Sequence, residues 1–139
     1  MTFEIKTGDW TTLKADAAGI RYTVFVQEQR VPISIEMDDL AVECQHAVLY
    51  VDKKPMATGR LLPNAHIGRM AVLPSYRGSG AGAQVLRALI EIARDRGETA
   101  VFLSAQTHAL GFYTRYGFSA YGEVYKDADI DHQMMQLHL

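Results

Sequence analysis

Val72-Leu73-Pro74-Ser75-Tyr76-Arg77-Gly78-Ser79-Gly80-Ala81-Gly82 is the stretch on which the reading of this chain turns. It starts as the end of an apolar run, His66–Leu73, and Pro74 stops that run because proline has no N–H for a strand ladder. Beyond the glycines, Val85, Leu86, Leu89, Ile92 and Ala93 recur on one helical face, with Arg87, Glu91, Arg94 and Asp95 on the other. Gly97 suits the left-handed residue that closes such a helix, and Ala100–Ala105 then reads as a buried strand. Strand, helix, strand is a crossover unit, so the two strands are expected to be parallel.

Working upstream, the pattern changes. His46–Val51 and Met56–Leu62 are apolar runs separated by the turn Asp52-Lys53-Lys54-Pro55, and Pro63-Asn64 makes a second turn into His66–Leu73. Three strands so joined form an antiparallel meander. The segment Ser34–Gln45, with Glu36, Asp38, Asp39 and Glu43, lacks periodicity and is expected to be a long loop. Before it, Asp9 is positioned to cap a helix on which Leu13, Ala17, Ile20 and Val24 share a face, running out near Gln29 ahead of Pro32. Thr2–Lys6 alternates as a first strand. Downstream, a shorter helix is expected over Thr107–Tyr116, then strands at Phe118–Val124 and Gln133–Leu139. The fold class is therefore α/β (an α+β mixed sheet): an antiparallel N-terminal meander joined to a central parallel βαβ unit.

Composition bounds the function. With 139 residues the chain has the length of one compact domain, 1–139, and it is 48% hydrophobic and 22% charged. A net charge of -2 gives no general attraction to nucleic acid or anionic lipid. No run approaches the roughly 20 apolar residues of a membrane span, and the start lacks the features of a signal peptide. The lone Cys44 has no internal disulfide partner, which suits a cytoplasmic location. His46, His66, His108, His132 and His138 show no metal-ligand spacing, so no metal is expected.

The chemistry sits in the glycine loop. Glycines let a backbone approach an anion closely, and a helix start turns unpaired N–H groups and a partial positive charge toward it. Arg77 adds a forked positive group. A Walker loop would need a lysine, which this loop lacks, and a dinucleotide fingerprint would need G-x-G-x-x-G, whereas the spacing here is G-x-G-x-G. A plain helix-start turn with no ligand is the remaining alternative.

The loop with its lead-in resembles the acyl-CoA signature of the GNAT superfamily, Arg/Gln-x-x-Gly-x-Gly/Ala. Thirty residues on, Phe112-Tyr113-Thr114-Arg115-Tyr116-Gly117-Phe118 resembles that family's second signature, F-Y-x-x-x-G-F. Arg21–Gln29 with Asp38-Asp39, and Ile130-Asp131-His132-Gln133-Met134-Met135, are similar to its ElaA-like/YjcF-like branch, with Asp131 where that branch tends to have proline. The first segment is also similar to acyl-homoserine-lactone synthases, whose chains are longer.

The resemblance implies an acyl-CoA N-acyltransferase fold and transfer of an acetyl group from acetyl-CoA, as cosubstrate, to a primary amine of a small molecule or peptide. The alternative is a non-catalytic acyl-CoA-binding module with the same fold. It implies that Arg77, Gly78, Ser79, Gly80, Ala81 and Gly82 wrap the pyrophosphate and that Met70, Ala71 and Val72 line the pantetheine arm. A backbone N–H near Ala71 or Val72 would polarise the acetyl carbonyl. It places Tyr113 near the cofactor sulfur, to protonate the departing thiolate or to hydrogen-bond it, Phe112 in packing, and Gln106 beside the pantetheine. The base stays open between His66 and His132. Glu36, Asp38, Asp39 and Glu43 either attract a cationic amine or are solvated. Acceptor identity is not legible, and oligomeric state is open, a homodimer being common among such proteins.

Overall fold

The computed structural model describes residues 2–139. The amino-terminal alternation becomes β1 (Phe3–Gly8), and Asp9 caps α1 (Trp10–Arg21) by accepting the Thr12 N–H at 2.9 Å. Helix α1 then widens into a π-helical stretch, Tyr22–Glu28, closed by the Gln29 N–H on the Val24 carbonyl at 3.0 Å. Insertions of this kind re-aim the residues that follow them. Here those residues are Glu28 and Gln29, which both reach the site described below.

The expected long loop at 34–45 is corrected. It contains a short helix, α2 (Ile33–Glu36), and a 3-10 turn at Ala41–Glu43. Their cause is ionic rather than periodic: Glu36 is buried against Arg21, an anchor that no hydrophobic pattern announces. The meander follows as β2 (Gln45–Val51), β3 (Lys54–Leu61) and β4 (His66–Val72), and α3 (Ala81–Asp95) crosses to β5 (Ala100–Gln106). Gly97, at φ 87°, closes α3 with the Glu98 N–H on the Ala93 carbonyl at 3.0 Å.

A 3-10 turn at Thr107–Ala109 opens the late helix, which narrows to α4 (Leu110–Arg115). The last two strands, β6 (Ser119–Asp127) and β7 (Ile130–His138), are longer than their alternation suggested. The two-residue turn Ala128-Asp129 has φ positive at both positions, and such a turn carries pairing to the strand ends.

All seven strands share one sheet in the order β1-β2-β3-β4-β5-β7-β6, and only the β4–β5 pair is parallel. Strand β7 inserts between β5 and β6. On one face Val85, Leu86, Leu89 and Ala93 of α3 pack on Leu49, Leu61, Ile67 and Leu103. On the other, Leu13, Ala17, Ile20 and Val24 pack on Val48, Tyr50 and Ala71. Strand β2 is covered on both faces, so it is continuously apolar. Gly59 lets α3 approach: a Cβ there would stand 2.5 Å from Met70 Sδ and 2.9 Å from Leu89 Cδ1. No helix among the described residues is long and apolar enough to cross a membrane.

Candidate active site

The parallel pairing of β4 with β5 is confined to His66↔Phe102 and Ile67↔Leu103. Beyond Ile67 the register of β4 against β3 shifts, and Arg69 takes φ 50°, an uncommon conformation for a side chain of that size. Meanwhile β5 stays paired with β7 as far as Gln106↔His132. The two central strands therefore part, leaving a gap between residues 70–72 and 104–106. The Leu73 N–H bonds Met56 of β3 at 2.9 Å, and successive residues of a strand point their amides to opposite sides. Val72 thus turns its N–H toward the gap. Ala71 turns its N–H toward β3 and buries its methyl under α1, so of the two residues expected to offer an N–H there, Ala71 or Val72, the strand geometry leaves Val72. Met70 packs its side chain beside Gly59 and α3.

At the mouth of the gap stands the start of α3. Its N-cap, Gly80, has φ 90° and no side-chain cap. Among the described residues the N–H groups of Gly78, Gly80, Ala81, Gly82 and Ala83 find no acceptor, and Gln84 is the first to do so, on the Gly80 carbonyl at 3.1 Å. A helix of this length leaves a cluster of unpaired donors and a partial positive charge there. The Ser79 hydroxyl donates to the Tyr76 carbonyl. Gly82 sits where a Cβ would contact Val72 at 3.4 Å and Phe112 at 3.5 Å.

Arg77 departs from expectation. Its guanidinium forms a two-pronged pair with Glu28, at 2.6 and 2.5 Å, and its Nε donates to the Val72 carbonyl at 3.0 Å. The hydrogen bonds from Arg77 hold the Glu28 carboxyl below its usual range. The side chain thus braces the loop against α1 and brings no free charge to an anion. Next to it, the amides of Gln29 and Gln106 exchange hydrogen bonds at 3.2 and 2.9 Å. Two consecutive residues at the end of the first helix therefore tie down both sides of the gap, and the Gln106 side chain is engaged in that tie.

Tyr113 lies on the α3 side, buried, edge-on to Phe112 and Phe118 with ring centroids 5.1 and 5.8 Å away. Burial pushes its phenol up to about 12, and no described residue bonds the hydroxyl. His66 and His132 lie on the opposite side of the sheet. His66 stacks on Phe102 at 5.3 Å with Nδ1 3.3 Å from the Asn64 carbonyl. The Nδ1 of His132 is 2.7 Å from the Ile130 carbonyl, and its ring stacks on Tyr125. A Nδ1 that donates to a carbonyl leaves the lone pair on Nε2. By strand geometry His132, opposite Gln106, is roughly 10 Å from the middle of the gap, and His66 is roughly 15 Å back along β4 from Val72, both too far for direct proton transfer. At Gly68 the Arg60 side chain leans over β4, its Nε 3.9 Å from where a Cβ would stand. Among the described residues no group of three or more metal-ligating side chains converges.

The acidic run is also corrected. Glu36 is not solvated: it accepts from Arg21 Nε at 2.6 Å. Asp38 takes both Arg60 nitrogens at 2.9 and 2.7 Å and Arg69 Nη2 at 3.2 Å. These carboxylates face arginines rather than an incoming amine, while Asp39 and Glu43 remain exposed. Residue patterning missed this cluster and the Glu28 brace. The available signal was Arg60 and Arg69 inside apolar strands, since a guanidinium buried there requires a carboxylate.

Comparison with known proteins agrees with this geometry. The sequence pattern of the acetyltransferase (GNAT) domain matches residues 14–139. The uncharacterized N-acetyltransferase YjcF of Bacillus subtilis is 40% identical over 126 residues, covering 87% of this chain and 90% of its own. Protein ElaA of Escherichia coli is 31% identical over 81% of this chain and 79% of its own, and its crystal structure superposes with a TM-score of 0.88 over 99% and 100% of the two chains. The crystal structure of an acyl-CoA N-acyltransferase from Pseudomonas aeruginosa is 31% identical, with a TM-score of 0.85 over 98% of this chain and 99% of that one.

The ion pairs carry a pH signature. The Arg60 hydrogen bonds hold Asp38 at about 2, against 3.8 unperturbed. A depressed carboxylate contributes fully above its unfolded pKa and loses that contribution as pH falls through the folded one, here between 3.8 and about 2. Asp38→Asn should lower Tm clearly at pH 7, where it leaves Arg60 buried without its partner, and far less at pH 2. Thermal melts at both values check this; equal losses would contradict the pairing.

Proposed function

The chain belongs to the GNAT acetyltransferase family, and on that premise we propose that it transfers the acetyl group of acetyl-CoA directly to a primary amine across the gap between β4 and β5. The observation that carries this reading is that the uncapped start of α3 abuts the gap, Gly82 facing Val72 and Phe112, with the buried Tyr113 packed edge-on to that Phe112. The five unpaired N–H groups of residues 78–83 suit a pyrophosphate, which needs donors and a positive dipole more than a counter-charge. Engagement of Arg77 by Glu28 therefore does not weaken the site. The pantetheine arm then lies against β4 as a strand would, and the free Val72 N–H meets the acetyl carbonyl, where negative charge develops on attack.

The two sides of the sheet divide the chemistry. On the α3 side, Tyr113 stays protonated at any physiological pH because burial holds its phenol near 12. A thiol titrates near 8.5 in water, so full proton transfer from this phenol runs uphill; its role is to donate a hydrogen bond that stabilises the departing thiolate. On the α1 side the amine enters over an uncovered stretch of sheet, where Ser104 is exposed. The nitrogen bonds the thioester carbon, the C–S bond breaks, and the amine proton leaves through water to a base. His66 takes that role in this reading, because it is only half-buried and open to water, whereas His132 is buried. His132 is screened by Gln106 and Tyr125. The lone buried Cys44 takes no part, and a single cysteine with no internal disulfide partner fits a cytoplasmic enzyme.

Calorimetric titration with acetyl-CoA should show saturable binding that Gly80→Asp abolishes, since the variant puts a strained residue and a negative charge among the donors. Binding unchanged in Gly80→Asp would remove the loop from the site. In a thiol-release assay with an accepted amine, Tyr113→Phe and His66→Ala should each lower kcat by about 100-fold while acetyl-CoA binding persists. A larger loss in His132→Ala than in His66→Ala would transfer the base role to His132.

A further inference from the structure

On the α1 side of the sheet, three guanidinium groups meet two carboxylates. Arg21, Arg60 and Arg69 share Glu36 and Asp38, leaving one positive charge unmatched within the cluster. Each arginine also has a buried nitrogen without a hydrogen bond: Arg21 Nη1, Arg60 Nε and Arg69 Nε, the last with only a long 3.7 Å approach to Glu36. Burying charge without full pairing is costly, and such a cluster lowers its energy by taking up an anion.

Where that anion would sit follows from exposure. The side chains of Arg21 and Arg60 are 4% and 5% exposed, so they act through their field; Arg69 is 28% exposed and can be touched. Its Nη2 is held by the Ile35 and Glu36 carbonyls and by Asp38, and its Nη1 has no partner among the described residues. Arg69 stands on the bulge itself, two residues past the last β4–β5 pair. It is on the side from which the acceptor enters. Beside it, the segment that supplies the Ile35 carbonyl exposes Ile33, Ile35 and Met37.

We propose that the acceptor is an amino carboxylate with an apolar body, its carboxylate received by Arg69 and its amine directed into the gap. The proposal rests on the acetyltransferase reading above. The carboxylate is a spectator. The C–N bond forms, the thioester C–S bond breaks, the amine proton passes to water or His66, and the thiolate departs. A second cationic centre, as in a polyamine or aminoglycoside, would meet the unmatched positive charge and be repelled. A carboxylate would be drawn in by charge-assisted hydrogen bonding.

The test uses leucine, methionine and phenylalanine, each beside its decarboxylated amine, in a thiol-release assay at saturating acetyl-CoA. The kcat/KM ratio of amino acid to plain amine is compared between wild type and Arg69→Met, so that differences in amine basicity cancel. The ratio should fall by about 10- to 100-fold in Arg69→Met, the range expected for one hydrogen bond to a charged group. Arg69→Lys, which keeps the charge and loses the fork, should fall between the two and serves if Arg69→Met does not fold. Turnover of the plain amines with an unchanged ratio would overturn the carboxylate site and leave the acetyltransferase reading standing. Absence of thiol release from every amine, with acetyl-CoA still bound, would overturn both.

Discussion

A parallel pair of strands at the centre of a sheet normally runs its ladder to the end, because an unpaired strand edge in the interior leaves amides without partners. In this protein β4 and β5 share only two register positions before β4 bulges at Arg69 and leaves its neighbour. The rest of the structure depends on that separation. It exposes the Val72 N–H, sets the free amides at the start of α3 at the mouth of the opening, and gives the two faces of the sheet one place where they communicate. Tyr113 is packed on the α3 side of the sheet, and His66, His132 and Arg69 lie on the other.

An opening of this kind would let the sheet come apart if nothing spanned it. The first helix supplies the span. Its π-helical end turns Glu28 onto Arg77, just beyond β4, and Gln29 onto Gln106, at the end of β5. Below these ties, the arginine–carboxylate cluster fixes the bulge to α1, α2 and β3. Polar side chains thus do the work that ladder hydrogen bonds do elsewhere in the sheet. That leaves the strand amides free for a ligand and accounts for the number of charged groups buried in so small a protein.

The crossover unit, the meander and the glycine loop were legible because each follows from a local rule: period, proline and glycine placement, and the order of elements. Asp9 as a cap and Gly97 as a helix stop are read directly from residue type. The candidate site was readable in outline: the glycine loop 78–82 from residue type, since its backbone amides stay unpaired at the start of α3, and Tyr113 through the resemblance alone. What stayed hidden was made of side chains far apart in the chain. Glu28 and Arg77 lie 49 residues apart, and Arg60 and Asp38 lie 22 apart. No periodicity encodes such pairs, so Arg77 read as a phosphate ligand and Asp38 as solvated or as an attractor for cations. The insertion of β7 between β5 and β6 was equally silent, since alternation tells a strand from a helix but does not name its neighbour.

The parted strands and the start of α3 together would form the acyl-CoA site. Backbone amide NMR of the labelled protein during a titration with coenzyme A addresses it without any variant. The largest shifts should fall on Gly78, Gly80, Ala81, Gly82 and Ala83, with Val72 next, while amides of β1 and β2 stay in place. Saturating shifts that avoid both the loop and Val72 would contradict it.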